Sequence, residues 1–418
     1  MQNFKMKFTI LVLTMSIVFF SSALVFAEGE ITDSDAVSMG INKFAYNLYD
    51  KIKDSPEIKK NGGNLFFSPY SISAALGMTY TGARGNTAKE MADVLQLPPL
   101  ELEKIAAAYG QLQNQLQANP KTSEYQLNIA NALWGQKGYN FLPEFLEINK
   151  KYFDSGLTEL DFAKSEEARK IINTWVEDKT KEKIKDLITP GALDPLTRLV
   201  LTNAIYFKGN WAVQFKEENT KPADFNVTEN KKVEVPMMHQ KGKYFYGESD
   251  TIQVLQMPYK GEELAMFIVL PKAGVSLSDV EKQINSESPY IFSSISRSKQ
   301  GVEVFLPKFK MTCGTIALKE ILIAMGMKDA FSSIADFSGM TGKRDLFISA
   351  VMHKAFVEVN EEGTEAAAAT AVIMQKDEPR PTPVFRADRP FIFMITDIRG
   401  QNDILFMGRL VDPTLKSE

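Results

Sequence analysis

The sequence predicts a single large domain of class α+β. The composition and the absence of linkers predict the single domain, and the sequence motifs quoted below predict the class. The chain has 418 residues, of which 44% are hydrophobic and 24% charged, so it can bury a large core. Between residues 30 and 410 it has no linker rich in proline, glycine or serine, no repeat period and no long block of like charge. The formal net charge of −4 gives no general attraction to nucleic acid, so we predict no nucleic-acid partner.

The N-terminal 27 residues have the pattern of a signal peptide. Lys5 and Lys7 precede the apolar run FTILVLTMSIVFF, and Ala27, with Val25 two residues before it, suits a signal peptidase. We therefore predict a signal peptide over residues 1–27, a secreted, extracellular protein, and no membrane attachment after cleavage. The alternative is an uncleaved membrane anchor, which the threonine and serine residues within the run disfavour.

Side chains that support catalysis or metal binding are scarce. His239 and His353 are the only histidines, and the sequence contains no GxSxG, HExxH, CxxC, GxGxxG or Walker-type motif. Asp33 and Asp35 lack the glycine and final glutamate of a calcium loop and are expected in a solvated tail. We therefore predict no catalytic residues, no metal site and no cofactor. His239 is expected in a loop, and His353 in a strand as a buried structural group.

Residues 357–383, VEVNEEGTEAAAATAVIMQKDEPRPTP, are compatible with two structures. As a helix, the segment has Thr364 as a cap, Glu365 in the first turn and a row of alanines, the best helix formers. As a strand, every second residue from Thr364 to Met374 lies on one face, and that face carries no charge. A short helix exposed on both sides is marginal in water, and the strand-like lead-in favours the second structure.

The same segment has the features of a strand that could be inserted into a sheet. No proline occurs from Val357 to Glu378, whereas the prolines that begin at Pro379 cannot donate to a ladder. Gly363 supplies backbone freedom where the chain would fold back, and is a hinge candidate. About a dozen residues, each gaining a ladder hydrogen bond of roughly 0.5–1.5 kcal/mol, would release on the order of 10 kcal/mol. A fold that keeps this segment out of its sheet would be metastable.

Five segments in order along the chain resemble the serpin family. They are NLFFSPYSISAALGMTYTGARGNTAKEM (64–91), LTNAIYFKGNWAVQF (201–215), VLQMPYKGEELAMFIVLP (254–271), NEEGTEAAAAT (360–370) and FRADRPFIFMITDIRGQNDILFMGRLVDP (385–413). The resemblance implies one serpin domain, residues 28–418, with three β-sheets, eight to nine α-helices and an exposed reactive-centre loop over residues 361–386. It also implies suicide inhibition: a protease cleaves the loop, is acylated by it, and is trapped when the loop inserts into the central sheet.

The resemblance assigns residues to this mechanism. The hinge consists of Glu361, Glu362, Gly363, Thr364, Glu365, Ala366, Ala367, Ala368 and Ala369. Support for sheet opening is assigned to Ser68, Ser71, Asn203 and His353, a polar cluster, and to Trp211, near the entry of the loop. No charged or bulky residue interrupts the alanine row, which favours an inhibitor over a non-inhibitory carrier or chaperone, the second function considered.

The family spacing places the reactive bond at Asp377-Glu378, with Lys376-Asp377 as the alternative. The first bond suits proteases that cut after Asp, and the second suits the commoner trypsin-like enzymes. The expected partner is a target serine protease in a covalent complex, with cysteine proteases as a second class, and the inhibitor itself is expected to be a monomer. Residues 100–125 contain only Lys104 and Lys121 as bases, so no strong dependence on polyanions is expected.

Overall fold

The structure is a computed structural model of the chain, and it describes residues 31–117, 125–284, 295–296, 298–363 and 381–415. The chain divides into two compact units, residues 1–32 and 33–418. Only Ile31 and Thr32 of the first unit are described, and the fold below is that of the second. The predicted signal peptide, the hinge residues from Thr364 to Ala369 and both candidate reactive bonds lie outside the described residues.

Ten α-helices lie within the described ranges, against the eight to nine expected, and several of them are short. They are α1 (Asp33–Ile52), α2 (Pro56–Lys60), α3 (Pro69–Tyr80), α4 (Gly85–Leu95), α5 (Leu102–Gln117), α6 (Pro143–Phe153), α7 (Ser165–Lys179), α8 (Leu277–Gln283), α9 (Lys319–Met325) and α10 (Ser338–Thr341). Asp33 and Asp35 form the acidic first turn of α1, which suits the helix dipole, so they do not form the predicted tail. None of the described helices is long and apolar enough to cross a bilayer.

Fourteen β-strands alternate with these helices along the described chain. They are β1 (Leu65–Phe67), β2 (Tyr125–Gln136), β3 (Leu157–Leu160), β4 (Leu199–Gly209), β5 (Lys221–Thr228), β6 (Lys231–Glu248), β7 (Ile252–Pro258), β8 (Leu264–Pro271), β9 (Gln300–Pro307), β10 (Phe309–Ala317), β11 (Ile348–Val359), β12 (Val384–Arg386), β13 (Phe391–Asp397) and β14 (Asp403–Leu410).

Five of the strands form the main sheet, in the order β10-β11-β4-β2-β3. One face packs on α3 through residues such as Leu201 and Ile205, and the other packs on α7 through Val200 and Ala204. Because both faces are covered, β4 is buried along almost its whole length. This double burial explains why β4 is a nearly continuous apolar run without the alternation of a half-exposed strand.

The remaining nine strands form one hydrogen-bonded network that is divided by the long strand β6. Residues Phe245–Glu248 of β6 pair with β7, whereas Met237–Tyr244 pair with β9. The first part continues through β8, β13 and β14 to β1, and the second includes β5, β9 and β12. With the main sheet this gives three sheets, as expected, two of which share β6.

Candidate functional site

The centre of the main sheet contains two parallel neighbours, β4 and β11, which we call the seam. Their register runs from Leu199 opposite Ile348 to Tyr206 opposite Phe356. After Tyr206 and Phe356 the two strands no longer pair with each other. The last three residues of β4 pair only with β2, and the last three of β11 pair only with β10. The two strands therefore separate at the end where β11 leads into Gly363.

A polar network lies across the middle of the seam, beneath α3. The Ser68 backbone N–H donates to His353 Nε2 at 3.1 Å, so the imidazole proton is on Nδ1, which donates to Asn203 Oδ1. Asn203 Nδ2 donates to Ser71 Oγ at 2.5 Å and to Asn131 Oδ1, and Ser71 Oγ donates to Asn131 Oδ1 at 3.0 Å. The structure thus brings together the four polar residues assigned from the sequence.

His353 joins the two strands of the seam within this network. It lies opposite Asn203 in the register of β4 and β11, and both side chains are fully buried. Burial lowers the pKa of His353 to about 3, so the imidazole is neutral at physiological pH. Separating the strands would break the His353–Asn203 hydrogen bond and leave both side chains without this partner.

Asn131 of β2 is a member of the network that the sequence analysis missed. It is the register partner of Asn203, and its side chain also donates to the Ser71 carbonyl at 3.3 Å. The sequence signal is an asparagine within the apolar run NALW, residues 131–134. That signal identifies a candidate only when the pairing of β2 with β4 is known.

Trp211 lies outside this network, at the end of β4 beside the start of the loop. Its indole Nε1 donates to the Asn360 carbonyl at 3.1 Å, and its backbone N–H donates to the Glu362 carbonyl at 2.9 Å. The ring stacks on Tyr259 with centroids 4.7 Å apart and an interplanar angle of 11°. The tryptophan therefore binds the first residues of the loop.

Glu361 is held by a second set of contacts. Its side chain is 7% exposed and accepts from Lys308 Nζ and from Thr220 Oγ1, both at 2.7 Å. The Phe215 backbone N–H donates to the Glu361 carbonyl at 2.9 Å. Burial alone would raise the pKa of Glu361, but the hydrogen bonds from Lys308 and Thr220 outweigh it and lower the pKa below its usual range.

Gly363 occupies a backbone position that only glycine fits. Its φ is +134°, in the region that side chains disfavour, and it forms a bridge with Asn210. A Cβ at this position would lie 2.3 Å from the Gly209 carbonyl oxygen and 2.5 Å from the Trp211 nitrogen. We call residues 360–363, with these contacts, the docked loop start.

The second histidine lies in a different sheet. His239 belongs to β6 and not to the predicted loop, and its ring stacks on Phe305 at 4.4 Å. Its Nε2 is 2.9 Å from the Glu303 carboxylate. Among the described residues, no three His, Cys, Asp or Glu side chains are grouped so that they could hold a metal ion.

Comparison with known proteins identifies the family. The sequence model of the family described as Serpin (serine protease inhibitor) matches residues 39–413. The chain belongs to the serpin family. It is 43% identical over 390 residues to Serpin B6 of Macaca fascicularis, and the match covers 91% of this chain and all of the relative. Leukocyte elastase inhibitor of Homo sapiens is 40% identical over 388 residues, with 91% of this chain and all of the relative covered.

Solved structures support the same fold for this serpin. Human thyroxine-binding globulin in complex with thyroxine matches with a TM-score of 0.81 and 33% identity, over 92% of this chain and all of that one. Uncleaved ovalbumin matches with a TM-score of 0.79 and 30% identity, over 90% of this chain and all of that one. The prediction of an α+β serpin fold is therefore confirmed.

The relatives contradict the predicted location. Serpin B6, leukocyte elastase inhibitor, and Serpin B3 and Serpin B4 of Homo sapiens are intracellular serpins without signal peptides. The prediction of a secreted, extracellular protein is therefore wrong. It depended on one apolar run with two lysines before it, and hydropathy at a terminus is weak evidence when the relatives argue against export.

Proposed function

We propose that this serpin inhibits serine endopeptidases by a suicide mechanism. A protease cleaves the reactive-centre loop, forms an acyl-enzyme with it, and is trapped when residues from Thr364 onward insert into the seam. The chain itself is a monomer and performs no catalysis; its partner is the protease in a covalent complex, with cysteine proteases as a second class. Leukocyte elastase inhibitor, a relative with 40% identity, is by its name a protease inhibitor, which supports this activity.

The direction of the strands in the seam is the observation that carries the proposal. β4 and β11 are parallel, and the loop begins at the end of β11. A segment that folds back after Gly363 runs opposite to both strands, so it can form antiparallel ladders with each. Antiparallel pairing is slightly more stable per residue than the parallel pairing it replaces, and insertion adds a second ladder. Separation of β4 and β11 would therefore make room for one strand of this polarity, which the chain after Gly363 has when it folds back.

The docked loop start and the polar network give the hinge and support residues a physical role. Glu361, Glu362 and Gly363 hold the loop at the open end of the seam, next to Trp211. Residues 364–369, the part of the hinge that contains the alanine row, follow directly and would enter first. The network around His353 lies further along the seam and would open as the new strand advances.

The reactive bond remains a choice between Asp377-Glu378 and Lys376-Asp377. Insertion up to Asp377 uses no proline, and Pro379 marks where it stops. We retain the first bond as the primary assignment. The released C-terminal fragment distinguishes the two: it begins with Glu378 for the first bond and with Asp377 for the second.

A carrier function is the alternative, because the fold also matches thyroxine-binding globulin, the structure of which contains thyroxine. A carrier does not need its loop to insert. The seam belongs to the fold that both functions share, so it does not distinguish them. The uninterrupted alanine row in residues 366–369 suits insertion and therefore favours the inhibitor.

Nicking the loop tests the proposal directly. We expect a large rise in melting temperature when a nonspecific protease cuts within residues 370–380, since insertion completes the sheet. A panel of serine proteases is then mixed with the intact protein, and at least one is expected to give a complex that survives SDS. An unchanged melting temperature together with no such complex would refute inhibition and favour the carrier.

A further inference from the structure

The chain between α7 and β4 crosses the face of the main sheet opposite α3. We call residues 180–193 the strap. Ile184, Leu187 and Ile188 of the strap are fully buried against that face. Hydrogen bonds connect it to three strands: Lys181 Nζ to Gln126 Oε1 of β2 at 2.8 Å, Lys354 Nζ of β11 to the Lys185 carbonyl at 2.9 Å, and Thr315 Oγ1 of β10 to the Leu187 carbonyl at 2.9 Å. The strap therefore spans the seam from β2 to β10.

The backbone of the strap is strained. Lys181, Glu182 and Asp186 have φ values of 52°, 59° and 48°, in the left-handed region that non-glycine residues seldom adopt. Such conformations persist only where the surrounding contacts hold them. Hydrogen bonds to α7, such as that from the Glu182 N–H to the Glu177 carbonyl at 2.8 Å, hold the strap together with its contacts to the sheet.

An aromatic pair lies beneath the strap, at the end of the seam where β4 and β11 begin to separate. Tyr206 and Phe356 are the last registered partners of β4 and β11, and their ring centroids are 6.0 Å apart. Both side chains are buried. Lys183 of the strap has its Nζ 5.8 Å from the Tyr206 centroid and 5.7 Å from the Phe356 centroid. One cation thus lies over two rings that belong to opposite sides of the seam.

This arrangement exists only while the seam is closed. A cation within about 6 Å of an aromatic centroid is attracted by the ring. A strand inserted between β4 and β11 would add one further strand spacing, about 4.8 Å, between Tyr206 and Phe356. The two rings would lose contact, and Lys183 could remain over only one of them. Lys310, at 5.3 Å from the Phe356 centroid, approaches from β10 and contacts one side only, so insertion need not disturb it.

We infer that Lys183, Tyr206 and Phe356 form a clasp that holds the seam closed and sets the rate of loop insertion. The inference rests on the proposed function and adds to it the contact that controls how fast the loop inserts. Insertion competes with hydrolysis of the acyl-enzyme, so the clasp influences the fraction of encounters that trap the protease. A weaker clasp gives faster insertion, but also a native state that opens more readily.

The test compares Lys183→Met with Lys185→Met in the full-length protein. Methionine keeps the apolar stem of lysine and removes the charge. Lys185 is the matched control, since it lies on the same strap and its ammonium group forms an exposed ion pair with Glu182 at 3.7 Å. The probe is a synthetic peptide with the sequence of residues 364–375, and its annealing into the intact protein is followed over time. A second measurement is hydrogen exchange at the amides of residues 204–206 and 354–356, where β4 and β11 are paired across the seam, and it needs no insertion.

We expect Lys183→Met to anneal the peptide up to about fivefold faster than the wild type, because strand separation costs the wild type one of the two cation–π contacts of this half-buried lysine. The exchange of those amides in this set that donate across the seam should rise by a similar factor, while Lys185→Met stays within about twofold of the wild type. Equal rates for all three proteins, or acceleration by both variants, would overturn the clasp. If the wild type neither anneals the peptide nor gains stability on nicking, the proposed function fails, and the exchange data still decide whether the clasp exists.

Discussion

Replacing Gly363 by alanine tests the docked loop start at a single atom. The added Cβ would lie 2.3 Å from the Gly209 carbonyl oxygen, 2.5 Å from the Trp211 nitrogen and 2.6 Å from the Asn210 Cα. All three are backbone atoms, so no side-chain rotation relieves the overlap. The φ of +134° adds a conformational cost for any residue with a Cβ. We therefore expect Gly363→Ala to release the docked loop start.

The magnitude follows from the contacts that are lost. Release breaks the hydrogen bonds from the Trp211 N–H, the Trp211 indole and the Phe215 N–H to residues 360–362. At roughly 0.5–1.5 kcal/mol each, these sum to about 2–4 kcal/mol. That range corresponds to an increase of roughly 30- to 1,000-fold in the population of the released state.

Hydrogen exchange at the Trp211 and Phe215 amides is the direct measurement, because both donate to the docked segment. Gly138→Ala is the matched control. Gly138 also has a positive φ, +94°, but a Cβ there meets nothing within 4 Å. The control therefore carries the conformational cost without the overlap. Exchange in Gly363→Ala as slow as in the wild type would show that the backbone contacts do not require glycine.

Three further predictions concern buried polar groups. Burial, with Asp397 and Asp35 nearby, raises the pKa of Asp403 to about 6. The contribution of Asp403 to stability is therefore present in acid and lost as pH rises through 6. In denaturant titrations we expect Asp403→Asn to increase the free energy of unfolding by up to about 3 kcal/mol at pH 7.5 and by much less at pH 4. The pKa of Glu361 is lowered, so its contribution is present above its unfolded value near 4.5 and lost in acid; Glu361→Gln should reduce the steepness of acid unfolding. His353→Ala leaves two partners in the buried network unsatisfied and should cost about 2–5 kcal/mol in the same titrations, whereas a change below 0.5 kcal/mol would contradict the network.

The elements of the fold were predictable where the sequence carries a strong local pattern. The run from Leu264 to Pro271 is apolar throughout and is a strand buried on both sides. Pro69 after Ser68 predicts the start of α3, and Ser68 Oγ accepts from the Ser71 N–H as a cap should. His239 was misplaced because lysines and a glycine near it resemble a loop, although alternate exposure is also the pattern of a strand with one solvated face.

The candidate site was only partly predictable, because its contacts join residues that are far apart in sequence. Glu361 was assigned to the hinge, but its partners Lys308 and Thr220 could not be read from the chain, since any surface lysine or threonine is an equal candidate. Asn131 required the register of β2 against β4. The strap shows no motif at all, since its role depends on crossing the seam. Long-range pairing is set by packing of the whole domain, and a local pattern does not encode it.

The three tryptophans are distributed so that they report on two separate regions. Trp134 and Trp175 meet edge to face, with centroids 5.4 Å apart, on the side of the main sheet covered by α7. Trp211 is stacked on Tyr259 at the start of the loop, and both belong to the other hydrophobic cluster, which includes residues of α3. Intrinsic fluorescence of single-tryptophan variants can therefore time departure of the loop start and disturbance of the α7 side independently, without an added label. The order of the two signals would give the sequence of events during a conformational change.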